Sequence, residues 1–313
     1  MRAAVIKEGE ILVEERPDPQ PGAGEVLVRV RAAGLNGADL LQRAGRYPAP
    51  AGSPQDVPGL ELAGEVAALG AGAERFALGD RVMAVVGGGG QAELAVVHER
   101  ALMPVPEPLD WPAAGGLPEV FTTAHDALFT QAGLGMGERL LVHGAAGGVG
   151  TAAVQLAHAA GAEVVATVRR AEQREAVAAL GADLVVEPEG FGAHGPFAVV
   201  LELVGAPNLQ EDLRSLATGG RVLIIGIGAG ARTEVDLRAL MGSRGRVLGS
   251  TLRARPLEEK AHAARLVERH VLPLFAAGAL RVPVAEAFPL DRAADAYARF
   301  EAGGKLGKVV LTL

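Results

Sequence analysis

Short apolar runs, each ended by glycine or proline, make up the first third of the chain. In the run Gly24–Arg31 the pattern alternates, with Val28 and Val30 on one face and Arg29 and Arg31 on the other, which predicts a half-buried strand. Three more strand candidates follow at residues 61–69, 81–86 and 91–97. Short strands with turn residues between them predict a small β-barrel or β-sandwich.

A different pattern begins near residue 118, where apolar runs alternate with segments of helical length. The strand candidates are residues 139–143, 163–168, 184–186, 197–201, 221–225 and 246–252. The helix candidates between them are residues 151–160, 173–180 and 209–216. This alternation predicts a parallel, doubly wound sheet. The interval 187–196 holds three glycines and two prolines, so we expect a loop or a single turn there.

Proline marks the change between the two patterns. Residues 103–118 contain five prolines, which predicts an extended connection and a domain boundary. The tail carries three further predicted elements and an isolated apolar run. These are a long helix at 257–277, the run 288–290, a helix at 292–301 and a last strand at 308–313.

Composition narrows the class of protein. A length of 313 residues predicts about two domains, and no apolar run reaches the ~18 residues of a membrane helix. The net charge of −7 disfavours a nucleic-acid partner. Cysteine is absent, which excludes disulfides, thiolate zinc sites and cysteine nucleophiles. We expect a cytoplasmic protein that is neither exported nor bound to a membrane.

The most informative segment is residues 139–150. An apolar strand runs into Ala145-x-Gly147-x-x-Gly150, and a helical pattern follows directly, which is the context of a dinucleotide-binding loop. The alternative is a glycine-rich turn without a ligand. The residues predicted to hold the pyrophosphate through the start of the helix are Ala145, Ala146, Gly147, Gly148, Val149 and Gly150.

The end of the second strand selects the cofactor. An NAD site places a carboxylate there for the ribose hydroxyls, whereas this chain has Thr167 followed by Arg169 and Arg170. Guanidinium groups suit a 2′-phosphate in geometry and charge. We therefore predict NADPH as the cofactor, bound in part by these three residues. The alternative is that the arginines are solvated surface charges.

The chain resembles the zinc-independent quinone oxidoreductases of the medium-chain dehydrogenase/reductase family, which include the zeta-crystallins. Within them it is most similar to the branch of the damage-inducible quinone oxidoreductase. The segments that carry the resemblance are residues 34–40, 58–64, 76–82, 143–150 and 306–311, with Asn36, Gln42, Arg43, Gly45, Tyr47 and Gly88-Gly89-Gly90-Gln91-Ala92.

The resemblance implies an α/β fold in two domains. A GroES-like β-barrel catalytic domain would comprise residues 1–117 and 255–313. A Rossmann dinucleotide-binding domain, with a doubly wound parallel sheet, would comprise residues 118–254. The resemblance also implies that this chain forms a homodimer.

Two positions separate this chain from the zinc-dependent alcohol dehydrogenases of the same family. Asn36 stands where those enzymes have a zinc-binding cysteine, and Leu60 where they have a zinc-binding histidine. An amide and a leucine cannot complete a tetrahedral zinc site. The seven histidines show no His-x-x-x-His spacing and suggest no acidic neighbours for a metal site elsewhere. We therefore predict no metal.

By resemblance, three residues lie at the reaction site. Asn36 and Thr123 would lie near the nicotinamide. Tyr47 would donate a hydrogen bond to the substrate oxygen or close the flat apolar slot that holds the quinone. Each has a structural alternative: Asn36 as a turn cap, Tyr47 as a packing residue, and Thr123 as a helix residue bonded to its own backbone. Further contacts to the cofactor would come from Gly205, Gly226, Ile227, Thr251 and Leu252.

The activity that follows is NADPH-dependent reduction of a quinone in the cleft between the domains, without metal. The nicotinamide supplies the hydride, and the protein supplies placement and electrostatics. One alternative is reduction of activated carbon–carbon double bonds in alkenals or enones. The other, of a different class, is a non-catalytic NADPH-binding protein with a structural or RNA-binding role.

Overall fold

The computed structural model describes residues 1–313, which form two compact units. The first comprises Met1–Thr122 and Leu252–Leu313, and the second comprises Thr123–Thr251. The chain passes from the first unit to the second between residues 122 and 123, inside a helix. It returns to the first unit between residues 251 and 252. The boundaries expected from the sequence, 117/118 and 254/255, lie a few residues away. The first follows from the proline-rich segment, whose last proline begins a helix, and the second is implied by the resemblance.

The first unit is built on a seven-stranded, mostly antiparallel sheet and a separate hairpin, with helices around them. Its strands are β1 (Arg2–Lys7), β2 (Glu10–Glu15), β3 (Glu25–Gly34), β4 (Glu61–Leu69), β5 (Arg81–Val85), β6 (Leu94–His98), β7 (Leu102–Pro104), β14 (Val284–Pro289) and β15 (Lys308–Thr312). Its helices are α1 (Gly37–Arg43), α2 (Trp111–Gly115), α8 (Leu257–His270), α9 (Leu272–Ala276) and α10 (Ala293–Glu301), and α3 (Pro118–His125) leads into the second unit.

Strand order in this sheet is β14-β15-β3-β4-β5-β7, with β6 also paired to β3, and the hairpin β1-β2 stands apart. In β3 the alternation is as predicted, with Val28 and Val30 buried and Arg29 exposed. The apolar face of β3 packs on Leu62, Val82 and other buried residues of β4 and β5. The C-terminal strand β15 pairs antiparallel with the end of β3, Val310 opposite Gly34, so the chain's tail completes this sheet.

The second unit is a six-stranded parallel sheet in the order β10-β9-β8-β11-β12-β13. Its strands are β8 (Arg139–Val142), β9 (Glu163–Thr167), β10 (Leu184–Val186), β11 (Phe197–Glu202), β12 (Leu216–Ile224) and β13 (Arg246–Gly249). Its helices are α4 (Gly148–Ala159), α5 (Arg174–Ala178), α6 (Leu209–Arg214) and α7 (Leu237–Ser243). The predicted Rossmann fold is confirmed.

Two local predictions differ from the structure, and a third agrees with it. The long tail helix is two helices, because Pro273 lies in the first turn of α9, where it cannot donate a hydrogen bond to α8. The proline-rich connection contains a short helix, α2, which Asp110 caps by accepting the N–H of Ala113. The segment between β10 and β11 is a single helical turn at Phe191–His194, as expected.

Candidate active site

The glycine-rich loop of the second unit joins β8 to α4. The helix begins at Gly148, three residues earlier than the apolar pattern indicates, with Gly147 at its N-cap. The first bond into the helix is Thr151 N–H to the Gly147 carbonyl, and the N–H groups of Gly148, Val149 and Gly150 have no acceptor in the chain. Three unpaired amides at the positive end of a helix form a site for an anion.

Glycine is required at two positions of this loop. A Cβ at Gly150 would lie 2.5 Å from the Gly144 carbonyl oxygen and 2.6 Å from Cα of Ala145, so a side chain there would push α4 away from the strand. Gly144 has φ +63°, in the left-handed region that glycine adopts without strain. The loop therefore fits the pyrophosphate of a dinucleotide, in which backbone and not side chains contacts the ligand.

The residues that follow β9 have contrasting surroundings. Arg169 and Arg170 are exposed, and Arg170 has a single weak ion pair, 3.7 Å from the exposed carboxylate of Glu172. Thr167 is buried, and its hydroxyl lies 3.0 Å from Nδ1 of His143. The two arginines are thus available to a ligand, whereas the side chain of Thr167 is already engaged beneath the loop.

The other predicted cofactor positions of this unit follow β11 and β12. Glu202 ends β11 and its carboxylate accepts the N–H groups of Val204 and Gly205, the latter at 2.7 Å. Gly205 has φ +117°, and a Cβ there would lie 2.6 Å from a backbone oxygen. After β12, Gly226 is half-buried and Ile227 is half exposed. An exposed apolar residue at the carboxyl end of a parallel sheet lies where ligands of this fold bind.

Beneath the loop lies a buried polar cluster, which the sequence analysis missed. Nε2 of His143 lies 2.8 Å from Oδ1 of Asp212 and 3.9 Å from the Glu202 carboxylate, and the edge of the Phe191 ring packs against the imidazole. Oδ2 of Asp212 has no hydrogen-bond donor. Burial raises the pKa of Asp212 to about 6, with Glu202 adding to the rise and the His143 contact opposing it.

This cluster corrects the expectation that no histidine has a set of acidic neighbours able to complete a metal site. Ligand atoms of His143, Glu202 and Asp212 all lie within 4.8 Å of one another. The three residues are far apart in the sequence and meet because β8 and β11 are adjacent and α6 follows β11. Both imidazole nitrogens already have partners in Thr167 and Asp212, so the arrangement is that of a hydrogen-bonded network.

In the first unit, Asn36 belongs to a buried ion-pair network. The Lys308 ammonium lies 2.6 Å from the Glu61 carboxylate and donates at 2.7 Å to Oδ1 of Asn36. The Asn36 amide donates to the same Glu61 oxygen at 2.9 Å. Asn36 also precedes α1, where its backbone N–H donates to Asp39 at 2.8 Å. The predicted turn role is therefore present, together with a tie to a buried charge pair.

Asp39 supports the same corner of the fold. Its two carboxylate oxygens accept the N–H groups of Asn36 and Gly59, the second at 3.0 Å. Burial raises its pKa to about 6, although both backbone hydrogen bonds and the charge of Lys308 oppose the rise. This carboxyl fixes the loop before Leu60, which is itself buried in the core.

Tyr47 lies in the loop after α1 and is half-buried. No group of the chain accepts a hydrogen bond from its hydroxyl, and burial raises the pKa of that hydroxyl. The Arg253 guanidinium lies over its ring, 5.1 Å from the centroid, and donates to its backbone carbonyl at 3.0 Å. The ring is thus held in place while the hydroxyl stays available as a donor.

The three remaining predicted residues lie near the changes of unit. Thr123 is buried in α3, as the first residue of the second unit. Thr251, the last residue of that unit, is exposed. Leu252 is buried in the first unit, where it packs with Val85 and Ala263.

Two family models match the chain. The alcohol dehydrogenase GroES-like domain matches residues 22–107, and the zinc-binding dehydrogenase domain matches residues 148–269. A quinone oxidoreductase of Rattus norvegicus is 32% identical over 307 residues, covering 94% of this chain and 91% of the relative. The chain belongs to the medium-chain dehydrogenase/reductase family, in its quinone oxidoreductase group. It therefore has the fold of this oxidoreductase family, which includes a dinucleotide-binding unit, as predicted.

Solved structures of this family agree with the fold over the whole chain. A mycobacterial protein complexed with NADPH has a TM-score of 0.88 at 28% identity, with 100% of each chain covered. An NAD-dependent alcohol dehydrogenase has a TM-score of 0.87 at 28% identity, also with 100% of each chain covered. Both nicotinamide cofactors thus occur among its structural relatives. No helix of the structure is long and apolar enough to cross a membrane.

Several residues of these networks carry no sequence signal. Lys308 and Glu61 are separated by 247 positions and meet only because β15 pairs with β3, which also pairs with β4. Arg253 follows a strand without any motif around it. The one available signal is the rarity of lysine, since the chain has four and one of them is buried.

Proposed function

We propose that this protein is a metal-independent NADPH:quinone oxidoreductase. The observation that carries the proposal is the start of α4, where the amides of Gly148, Val149 and Gly150 are unpaired and a diphosphate would satisfy them. Membership in the quinone oxidoreductase group supports the acceptor. The acidic net charge of −7 disfavours an RNA-binding role.

We assign the 2′-phosphate of NADPH to Arg169 and Arg170. Both are exposed at the end of β9, and the one ion pair there, of Arg170 with Glu172, is long and exposed, so binding a phosphate would displace at most that weak contact. NADH has no such phosphate, so its affinity would gain nothing from them. The side chains of Ala145 and Thr167 are buried, and we assign these two residues to support of the loop.

The remaining predicted residues fall into two groups: those that would contact the cofactor and those that would contact the quinone. Gly205, Gly226 and Ile227, with Thr251 and Leu252, would line the cofactor through backbone or apolar contacts. The Tyr47 hydroxyl is the donor we assign to the quinone oxygen, because it has no acceptor within the chain. Asn36 would orient the nicotinamide, whose carboxamide N–H could donate to the second lone pair of the Asn36 carbonyl oxygen, since the Asn36 amide already donates to Glu61 and its carbonyl already accepts from Lys308. Thr123 would contact the nicotinamide.

We also propose that the protein is a homodimer through the edge of the second unit's sheet. Strand β13 lies at the edge of the parallel sheet, where it offers unpaired backbone groups. Large apolar side chains are exposed on β13, at Val247, and on α7, at Leu237 and Met241. Val247→Glu should yield a monomer by sedimentation velocity, and a dimer that persists would refute this edge as the interface.

Turnover assays with NADPH and NADH test the function. A panel of small quinones and of alkenals or enones should show NADPH consumption with quinones at a kcat/KM at least tenfold above that with any enal. Preference for enals would instead establish the double-bond reductase. Tight NADPH binding without turnover of either class would establish a non-catalytic protein, and a parallel RNA-binding assay would test that role.

A further inference from the structure

Arg253 is a buried cation whose direct partners are all neutral. Its guanidinium donates from Nε to the Gly87 carbonyl at 2.7 Å, from Nη1 to the Tyr47 carbonyl at 3.0 Å, and from Nη2 to Oε1 of Gln42 at 2.5 Å. The side chain is 2% exposed. These three bonds use three of the five N–H groups of the guanidinium.

No carboxylate lies within ion-pair distance of this group. Asp39 and Glu119 are the acidic residues that act on it through space, and burial lowers the pKa of Arg253 against their influence. A buried charge is costly unless it is directly paired. The chain thus keeps a positive charge beside Tyr47 without a countercharge in contact.

The same side chain holds the loops around Tyr47. Gln42 accepts from Arg253 and, from its own amide, donates to the Gln55 carbonyl at 2.9 Å. Gly87 lies in the glycine-rich segment after β5. Arg253 is therefore the common anchor of three segments, and its guanidinium lies over the ring of the one tyrosine that has a free hydroxyl.

We propose that Arg253 is a specificity-determining and positioning residue of the Tyr47 slot, where its uncompensated charge favours acceptors that become oxyanions on reduction. The proposal rests on the proposed function and deepens it. Such acceptors are quinones whose hydroquinones are weak acids, because these gain most from a nearby cation. Acceptors that form no oxyanion would gain little.

The chemical step balances without a further reagent. The C–H bond of the reduced nicotinamide breaks and its electron pair moves with the hydrogen to the quinone, which is reduced as the nicotinamide is oxidised. The new bond on the quinone leaves one oxygen as an anion. Water then supplies the proton that completes the hydroquinone. Arg253 would act before that proton arrives, on the anion and on the placement of the Tyr47 hydroxyl.

A series of quinones with graded hydroquinone pKa values tests this role. We would measure kcat and KM separately with NADPH, and plot log kcat against hydroquinone pKa. In Arg253→Met and Arg253→Gln, log kcat should depend more steeply on the hydroquinone pKa. For the quinone with the least acidic hydroquinone, kcat should fall by about tenfold or more. Arg253→Lys, which keeps the charge, should keep the wild-type slope. The NADPH dissociation constant should stay within about threefold in all, since the loss concerns anion stabilisation.

Arg81 provides a matched control. Its guanidinium also stacks on an aromatic ring, 4.5 Å from the Trp111 centroid, and donates to backbone carbonyls at Glu107 and Leu109. It shares none of the contacts of Arg253, so Arg81→Met should leave the slope unchanged.

The outcomes separate this inference from the proposed function. Wild-type protein that reduces no quinone refutes both. Quinone reduction with equal slopes in wild type and neutral variants refutes the inference alone, as does a Lys variant as steep as the neutral ones. Failure of both neutral variants to fold, judged by circular dichroism and Tm, would show that the residue is structural and would also overturn the proposal.

Discussion

The substitution Asp212→Asn tests whether the cluster beneath the nucleotide loop stores a proton. Burial raises the pKa of Asp212 to about 6 from its ordinary value of 3.8. This rise of the pKa from 3.8 to about 6 corresponds to roughly 3 kcal/mol, at about 1.36 kcal/mol per pKa unit. Asparagine has the same shape, and its oxygen can accept from His143 as Oδ1 does now, while its amide takes the place of Oδ2, which has no hydrogen-bond partner.

The sign of the effect follows from proton binding. The folded state holds the Asp212 proton more tightly than the unfolded state, so between about pH 4 and pH 6 the folded state binds more protons. The free energy of unfolding therefore declines as pH rises through this window. The stabilising contribution is complete below about pH 4 and is lost above about pH 6. In Asp212→Asn this decline should disappear, and near pH 8 the variant should equal or exceed the wild type by up to ~3 kcal/mol.

Urea unfolding at steps from pH 4.5 to 8 measures the effect. The second unit contains neither tryptophan nor tyrosine, so Trp111 fluorescence reports the first unit alone. Far-UV circular dichroism reports both units, and unfolding of the second unit is the part of its change that fluorescence does not follow. Glu189→Gln removes an exposed carboxyl of the same unit that makes no ion pair, and this variant should keep the pH dependence of the wild type. Equal pH dependence in Asp212→Asn and wild type would refute the reasoning. So would a variant less stable than wild type at pH 8, since the charged carboxylate would then be stabilising.

Three further predictions concern the proposed site. Prolonged chelation should leave turnover of NADPH and a small quinone unchanged, and loss of stoichiometric zinc together with activity would contradict it. Tyr47→Ala should lower quinone kcat/KM about tenfold while the NADPH dissociation constant stays within about threefold, and equal losses in both would mark a structural residue. Arg169→Ala with Arg170→Ala should weaken NADPH binding about tenfold, less at high salt, and leave NADH binding unchanged in fluorescence titrations; equal weakening of both cofactors would refute the assignment.

The fold could be predicted where the pattern is local. Strand β4 occupies residues 61–69 as the short apolar run predicts, and β10 also has its predicted bounds. Errors arise where a boundary depends on neighbours. Strand β12 begins at Leu216 and not near Arg221, because its first residue pairs with β11 across an irregularity in register. The apolar run at 246–252 is strand only to Gly249, where pairing with β12 ends.

In the candidate site, too, the local part could be predicted from the sequence and the part that depends on tertiary contacts could not. The nucleotide loop is a contiguous motif, so its glycines and the following helix could be predicted from their order alone. The networks of Lys308 with Glu61, and of His143 with Asp212, join residues that meet only in the folded sheets. Sequence gives the residue types but not the pairing, and a buried lysine or histidine has the same letter as an exposed one.

The network around Lys308 also bears on the absence of a metal in the proposed mechanism. Oδ1 of Asn36, at the position where the resemblance implies a zinc-binding thiolate in the zinc-dependent enzymes, lies 2.7 Å from the Lys308 ammonium. A zinc ion ligated by that oxygen at about 2.1 Å would lie at most about 5 Å from the ammonium. At an effective dielectric constant near 20, the repulsion between +2 and +1 charges at this distance is about 7 kcal/mol. The second former ligand position, Leu60, is buried and offers no donor. Lysine and glutamate thus supply the local charge balance by themselves, and a divalent cation at Asn36 would have to displace Lys308 from a pair that is itself buried.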